Sequence, residues 1–267
     1  TGGGIGDQII TDVVVTSSGI IHVSGVTQSQ VFFGTNSYTP VGTQDSFVLT
    51  RSPAGAFQSI EGYGIANQVV VVRNLAVDTN GVLYVGGTFS GTLSKNTWSI
   101  TANKGGSDIF VIKNGATPTQ QWAQIGGSNT NDELTGLDVN SAGELVFSAF
   151  IQGTFSAGTK AITPSGSYDG LVGGLSPSGS WTWLDVTRSP DFVVNYGLAI
   201  DSNDIAATVG AFANQNPATI SKGTTTITAA GAWDTFVWGF DPAMKKDSDT
   251  DGVPDVTDNC PTVSNPS

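Results

Sequence analysis

The chain has 267 residues, with 22 acidic against 10 basic side chains and a formal net charge of -12. So few cations provide no positive field to release counterions from phosphates, which excludes nucleic-acid binding and attraction to an anionic membrane surface. Charged residues make up 12% of the chain, about half the usual share; glycine, hydroxyl and amide side chains separate the apolar runs, as in a β-rich protein exposed outside a cell.

In chain order the predicted elements recur. The strings TSSGIIHVSG, DTNGVLYVGG and NSAGELVFSA place a turn glycine at Gly19, Gly81 and Gly143, 62 residues apart each time. A second anchor, in QDSFV, SDIFV, YDGLV and WDTFV, places Asp45, Asp108, Asp169 and Asp234 at intervals of 63, 61 and 65. Two independent anchors with one period define an internal repeat, which has to be found before any local motif is interpreted. The fourth copy, GLAIDSNDIAATVGAF, carries Asn203-Asp204 where the others carry the turn glycine.

Within the second unit, β-branched and aromatic runs predict strands at 69–75 and 83–85, joined by a tight turn at Asn80-Gly81, with Gly86 and Gly87 permitting a bulge or a close approach. Further strands are expected near 96–102, 109–113 and 121–125. No segment sustains a 3.6-residue apolar period, so the class is all-β. A period of about 60 residues with about four strands per unit fits β-propeller blades, a β-sandwich pair and an open β-solenoid being the alternatives. The expected partition is a propeller over 1–243, with blades near 3–64, 65–127, 128–189 and 190–243, and a short irregular tail over 244–267.

The ends carry their own expectations. No apolar run approaches the ~20 residues of a membrane helix, no signal peptide opens the chain, and Thr1 points to a mature, processed or excised chain. Gly3-Gly4-Ile5-Gly6-Asp7 resembles the later junction from Gly126 to Asp132, and the fourth unit lacks the aromatic segment supplied elsewhere by Phe57, Trp122 or Trp181 with Trp183. Either a strand is borrowed to close the ring or further blades lie upstream. The single cysteine, Cys260, is expected to pair beyond Ser267. No Asn-x-Ser/Thr acceptor with an allowed middle residue is present, so no Asn-linked glycan is expected.

The second unit has Asp78, Gly81, Tyr84, Val85, Gly87 and Phe89, then Asp108, Phe110, Val111 and Lys113, then Trp122. This pattern resembles the bacterial β-propeller repeats known as SBBP repeats, over roughly residues 2 to 242. The third unit departs at Ala149 and Leu171, and the fourth places Trp238 at the lysine position. The resemblance implies a secreted or envelope-attached bacterial protein with an interaction role and no shared catalytic residues.

Residues 247 to 258 read DSDTDGVPDVTD. Counting from the first aspartate, Asp247, Asp249, Asp251, Asp255 and Asp258 occupy positions 1, 3, 5, 9 and 12, with Gly252 at the sharp turn and the Val253 carbonyl at position 7. Oxygen donors at this spacing suit Ca2+, a hard ion that takes six to eight of them. Pro254 and Pro261 deny the loop the flanking helices of an EF-hand. With Asn259-Cys260-Pro261 and Asn265-Pro266, the segment resembles instead the opening of a thrombospondin type 3 calcium repeat, a family in which repeats share calcium and pair cysteines between neighbours.

Other residues invite less. His22, the only histidine, is expected to pack or lie on a strand surface; the recurring aspartates are expected to accept hydrogen bonds from turns, with metal binding at the blade rim as the rival. Ser165 to Tyr168 and Ser178 to Ser180 punctuate hairpins and, lacking a histidine partner, form no triad. Gly2 to Gly6 has no lysine or helix to make a phosphate loop. The expected function is a non-enzymatic extracellular or cell-surface propeller that presents a rigid surface to a protein or carbohydrate partner on a calcium-stiffened stalk. The alternatives are a structural subunit of a fibre or coat, self-associating through an open blade edge, and a carbohydrate-active enzyme with carboxylates at the propeller mouth; Glu61, Glu133 and Glu144 are the only glutamates.

Overall fold

The structure is a computed structural model that describes residues 2–95, 98–102, 105–115, 117, 120–213, 219–222 and 224–245. The described residues are all-β, with a short 3-10 turn at Pro242–Lys245. The first repeat supplies β1 (Gly2–Gly4), β2 (Gln8–Val15), β3 (Ile21–Thr27), β4 (Val31–Phe33), β5 (Asn36–Tyr38), β6 (Asp45–Arg51) and β7 (Phe57–Tyr63). The second supplies β8 (Val70–Val77), β9 (Leu83–Phe89), β10 (Thr92–Lys95), β11 (Trp98–Thr101), β12 (Asp108–Asn114) and β13 (Trp122–Gly127). The third supplies β14 (Glu133–Val139), β15 (Leu145–Ile151), β16 (Phe155–Ala157), β17 (Lys160–Ile162), β18 (Asp169–Leu175) and β19 (Trp181–Thr187). The fourth supplies β20 (Phe192–Ile200), β21 (Ala206–Ala213), β22 (Thr219–Lys222), β23 (Thr225–Thr228) and β24 (Trp233–Phe240).

Each repeat is an antiparallel meander: β2-β3-β6-β7, β8-β9-β12-β13, β14-β15-β18-β19 and β20-β21-β24. Between its second and third strands each repeat inserts a small hairpin, β4-β5, β10-β11, β16-β17 or β22-β23, and β1 pairs with β4 to extend the first of these to three strands. The strand expected near 96–102 is thus β11, which pairs with β10 while β9 pairs directly with β12. The fourth sheet has three strands among the described residues. Its register also corrects the sequence alignment. Ala207 faces Gly239 as Tyr84 faces Lys113, so Gly239 stands at the lysine position and Trp238 at that of Ile112.

The turn glycines do what their backbone requires. Gly81 has φ +75 and donates to Asp78 O at 2.9 Å, while Asp78 N–H reaches Val82 O at 3.1 Å, a wider turn than a two-residue hairpin. In the fourth repeat Asp204 takes the left-handed conformation instead (φ +63) and donates its N–H to Asp201 O at 3.0 Å. A short polar side chain tolerates this region better than most residues, so the turn survives the loss of glycine.

The chain divides into two compact units, Thr1–Leu134 and Thr135–Ser267. In the first unit, Val14 and Val48 of the first sheet pack with Val72, Leu75, Val85 and Ile112 of the second. In the second unit, Val146 and Val172 of the third sheet pack with Leu198, Ala206 and Phe240 of the fourth. Polar bonds tie the same pairs of sheets: Asp12 Oδ2 accepts from Leu75 N–H at 2.8 Å, and Asp138 Oδ2 from Ile200 N–H at 2.7 Å. Ser46 Oγ donates to Val70 O at 2.9 Å and accepts from Val72 N–H at 2.7 Å. The inserted hairpins are pinned by apolar residues, Leu93 and Ile100 in one case and Val31 and Phe33 in another.

Candidate functional site

Asp45, Asp169 and Asp234 among the recurring aspartates are structural acceptors. Asp45 is buried and takes Val41 N–H and Tyr38 O–H at 2.7 Å each and Gly42 N–H at 3.0 Å. Asp169, also buried, takes Ser165 N–H at 2.7 Å and Ser189 N–H at 3.1 Å, and Asp234 takes Ala230 and Gly231 N–H groups. Each carboxylate closes the loop that precedes its strand, the role the repeat position implied. A Cβ on Gly64 would lie 2.1 Å from Asp45 Oδ2 and one on Gly127 2.0 Å from Asp108 Oδ1, so glycine keeps these two carboxylates seated. Among the described residues, no three His, Cys, Asp or Glu side chains gather closely enough to hold a metal ion.

His22 is buried on β3, with Nδ1 3.0 Å from Thr50 Oγ1, and burial lowers its pKa below the usual 6.5. A lowered folded-state pKa means that the unfolded chain takes up the proton first on acidification. Stability is therefore lost as pH falls through the unfolded value and down to the folded one. Because this is the sole histidine, an NMR titration of its ring protons isolates the effect. The expected midpoint lies below 6.5, and His22→Gln is expected to flatten the stability profile in that window.

The three glutamates are engaged. Glu61 pairs with Lys95 and accepts from Asn114 Nδ2 at 3.3 Å, Glu133 pairs with Arg73 at 2.8 Å, and Glu144 accepts from Asn140 Nδ2 at 3.1 Å. Lys95 also lies over the Tyr63 ring, 4.6 Å from its centroid, and burial lowers its pKa to about 8. In the first unit Asp78, Asn80, Val82, Lys113, Gly115 and Gln120 line a cleft of about 370 Å3. Beside it Tyr84 donates to Asp78 Oδ2 at 3.4 Å, and burial together with that carboxylate pushes its hydroxyl up to about 12.

An apolar cleft lies in the second unit. Phe150, Tyr168, Phe192, Val194 and Tyr196 line a cleft of about 330 Å3. Its rings form a ladder of edge-to-face contacts, with centroids 5.8 Å apart for Phe150–Tyr168, 5.1 Å for Tyr168–Phe192 and 5.3 Å for Phe192–Trp233. Tyr196 is exposed because β20 bulges there: Asn195 pairs with Gly210 and Gly197 with Val209, leaving Tyr196 unpaired and re-aimed. Ring edges and faces flanked by phenolic hydroxyls suit stacking with hydrogen bonding. The sequence did not single out these residues; the bulge that exposes Tyr196 has no one-residue signature.

The predicted calcium ligands Asp247, Asp249, Asp251, Val253, Asp255 and Asp258, like Cys260, lie outside the described residues. Residues 245–267 match the family model of the thrombospondin type 3 repeat. No curated protein matches the chain. No helix of the described residues is long and apolar enough to cross a membrane.

Proposed function

We propose that this chain is a non-enzymatic extracellular or cell-surface module of bacterial β-propeller type. It presents rigid sheet faces and an aromatic cleft to a protein or carbohydrate partner, and is joined to the start of a calcium-stiffened stalk. The observation that carries the reading is the thrombospondin type 3 match directly following four sheet repeats. The donor set over residues 247 to 258 is all oxygen, five carboxylates with a backbone carbonyl between them, and fits a hard divalent ion. Those residues would hold Ca2+, which neutralises their mutual repulsion and fixes the chain leaving the last repeat. The four meanders, each with an inserted hairpin, support the blade reading, and the stacking surface around Tyr196 supports a binding role.

Calorimetric titration of the chain with Ca2+ tests this. Saturable binding is expected, weakened about a hundredfold by Asp249→Ala combined with Asp251→Ala, since two direct carboxylate ligands are lost. Equal affinity in the double variant, or no heat for the parent chain, would remove calcium from the reading.

A further inference from the structure

Glu61 on β7, Lys95 at the end of β10 and Asn114 at the end of β12 come from three strands of the first unit, and their side chains meet at one point. One oxygen of the Glu61 carboxylate, Oε1, contacts Lys95 Nζ, and the other, Oε2, accepts from Asn114 Nδ2 at 3.3 Å. Asn114 Nδ2 also donates to the Tyr63 hydroxyl at 3.0 Å. The Tyr63 ring, buried, lies beside the amine with its centroid 4.6 Å from Nζ, and Trp98 faces Lys95 across the hairpin. Both nitrogens are thus held by one carboxylate, and the flexible lysine stem can carry Nζ to the amide carbon.

The second unit shows what part of this cluster the repeat itself requires. Lys222 stands at the end of β22 as Lys95 does on β10, and Asp185 faces Val172 as Glu61 faces Val48. Lys222 Nζ lies 3.3 Å from Asp185 Oδ2, so the lysine–carboxylate pair recurs. The amide does not. Phe240 faces Ala206 as Asn114 faces Leu83, and its ring takes the place of the carboxamide, 5.4 Å from Nζ. The first unit therefore adds a carboxamide to a pair that holds without one. Burial lowers the Lys95 pKa to about 8, which leaves free amine, the nucleophilic form, at neutral pH.

We infer that Lys95 and Asn114 join in an intramolecular amide bond, with Glu61 carrying the proton between them. Lys95 Nζ, as the free amine, attacks Asn114 Cγ, and Glu61 takes a proton from Nζ. The Cγ–Nδ2 bond then breaks, Glu61 hands that proton to Nδ2, and ammonia leaves. One C–N bond replaces another, and nothing is oxidised or reduced. The reaction is a single self-modification without turnover, and it ties the β10-β11 hairpin to the end of β12. It is independent of the calcium and partner-binding readings.

Intact-mass spectrometry of the folded 267-residue chain, followed by tryptic mapping, tests it. The expected mass is one ammonia below that of the sequence. The digest is expected to contain a branched peptide joining Lys95 to Asn114, uncut after Lys95, while Lys222 is recovered in linear peptides. Lys95→Arg and Glu61→Gln, each checked for fold by circular dichroism, are expected to keep the full sequence mass. A folded parent chain at full sequence mass, cut normally after Lys95, overturns the inference. Ammonia loss that persists in Lys95→Arg overturns it too, because it would place a succinimide at Asn114-Gly115 instead of a cross-link. Undiminished cross-linking in Glu61→Gln overturns the proton transfer assigned to Glu61.

Discussion

Asp45→Ala is expected to destabilise the first unit by about 4 kcal/mol, because three donors lose one buried acceptor together. The Val41 and Gly42 N–H groups and the Tyr38 hydroxyl all converge on this carboxylate. A hydrogen bond to a charged group contributes about 1.5–3 kcal/mol, and stranding a buried donor costs about 1–3 kcal/mol; the sum is tempered by local relaxation of the loop. The repeat supplies an internal control. Asp234 holds the equivalent position on β24 but is only partly buried and serves two backbone N–H groups. Its replacement by alanine is expected to cost about 1 kcal/mol. Urea unfolding followed by tryptophan fluorescence measures both, and equal losses at the two sites would show that burial of the carboxylate is not what makes the first one matter.

Phe110→Ala is expected to cost a similar amount, about 4 kcal/mol, from lost apolar burial and the cavity left behind. Phe110 is fully buried, meets Phe89 edge to face at 5.7 Å, and sits across from Gly87, whose absent side chain gives the ring its space: a Cβ there would come within 2.9 Å of Phe110. The first and fourth repeats repeat the device with Gly25 under Phe47 and Gly210 under Phe236. The third repeat carries Ala149 and Leu171, and the two face each other across the ladder. What looks in sequence like two separate departures is one exchange, a larger residue on one strand matched by a smaller one on its neighbour. Leu171→Phe alone is therefore expected to overpack this site by about 2 kcal/mol. Adding Ala149→Gly is expected to recover at least about half of that, seen as a coupling energy in a double-mutant cycle. Simple additivity of the two changes would mean that the pair is not a unit.

What the sequence disclosed and what it hid follow from the range over which each feature is encoded. The hairpin glycines and the strand-opening aspartates are local requirements of backbone and loop, so they recur visibly. The thrombospondin type 3 pattern is local too, and the family match over residues 245–267 falls on it. Strand partnership is not local. The alternation at Trp98–Thr101 looks the same whether that strand joins the main sheet or folds back on Thr92–Lys95, and the structure shows the second. The shift of Trp238 away from the lysine position was hidden for the same reason, since only the ladder to β21 fixes it. The aromatic cleft was the hardest feature to foresee, because Phe150, Tyr168, Phe192 and Tyr196 come from separate segments and converge only after the sheets have packed.

The inserted hairpins have a consequence of another kind. Since β9 hydrogen-bonds directly to β12, and β3 to β6, the excursion between them adds nothing to the ladder that holds the sheet. Its strands are held down by residues such as Leu93 and Ile100. Each repeat thus carries a cassette whose tip can be lengthened, shortened or rewritten without disturbing its frame. A scaffold that holds four such cassettes can diversify what it displays while its framework sequence stays under strong constraint, and the same positions are where a foreign loop could be grafted.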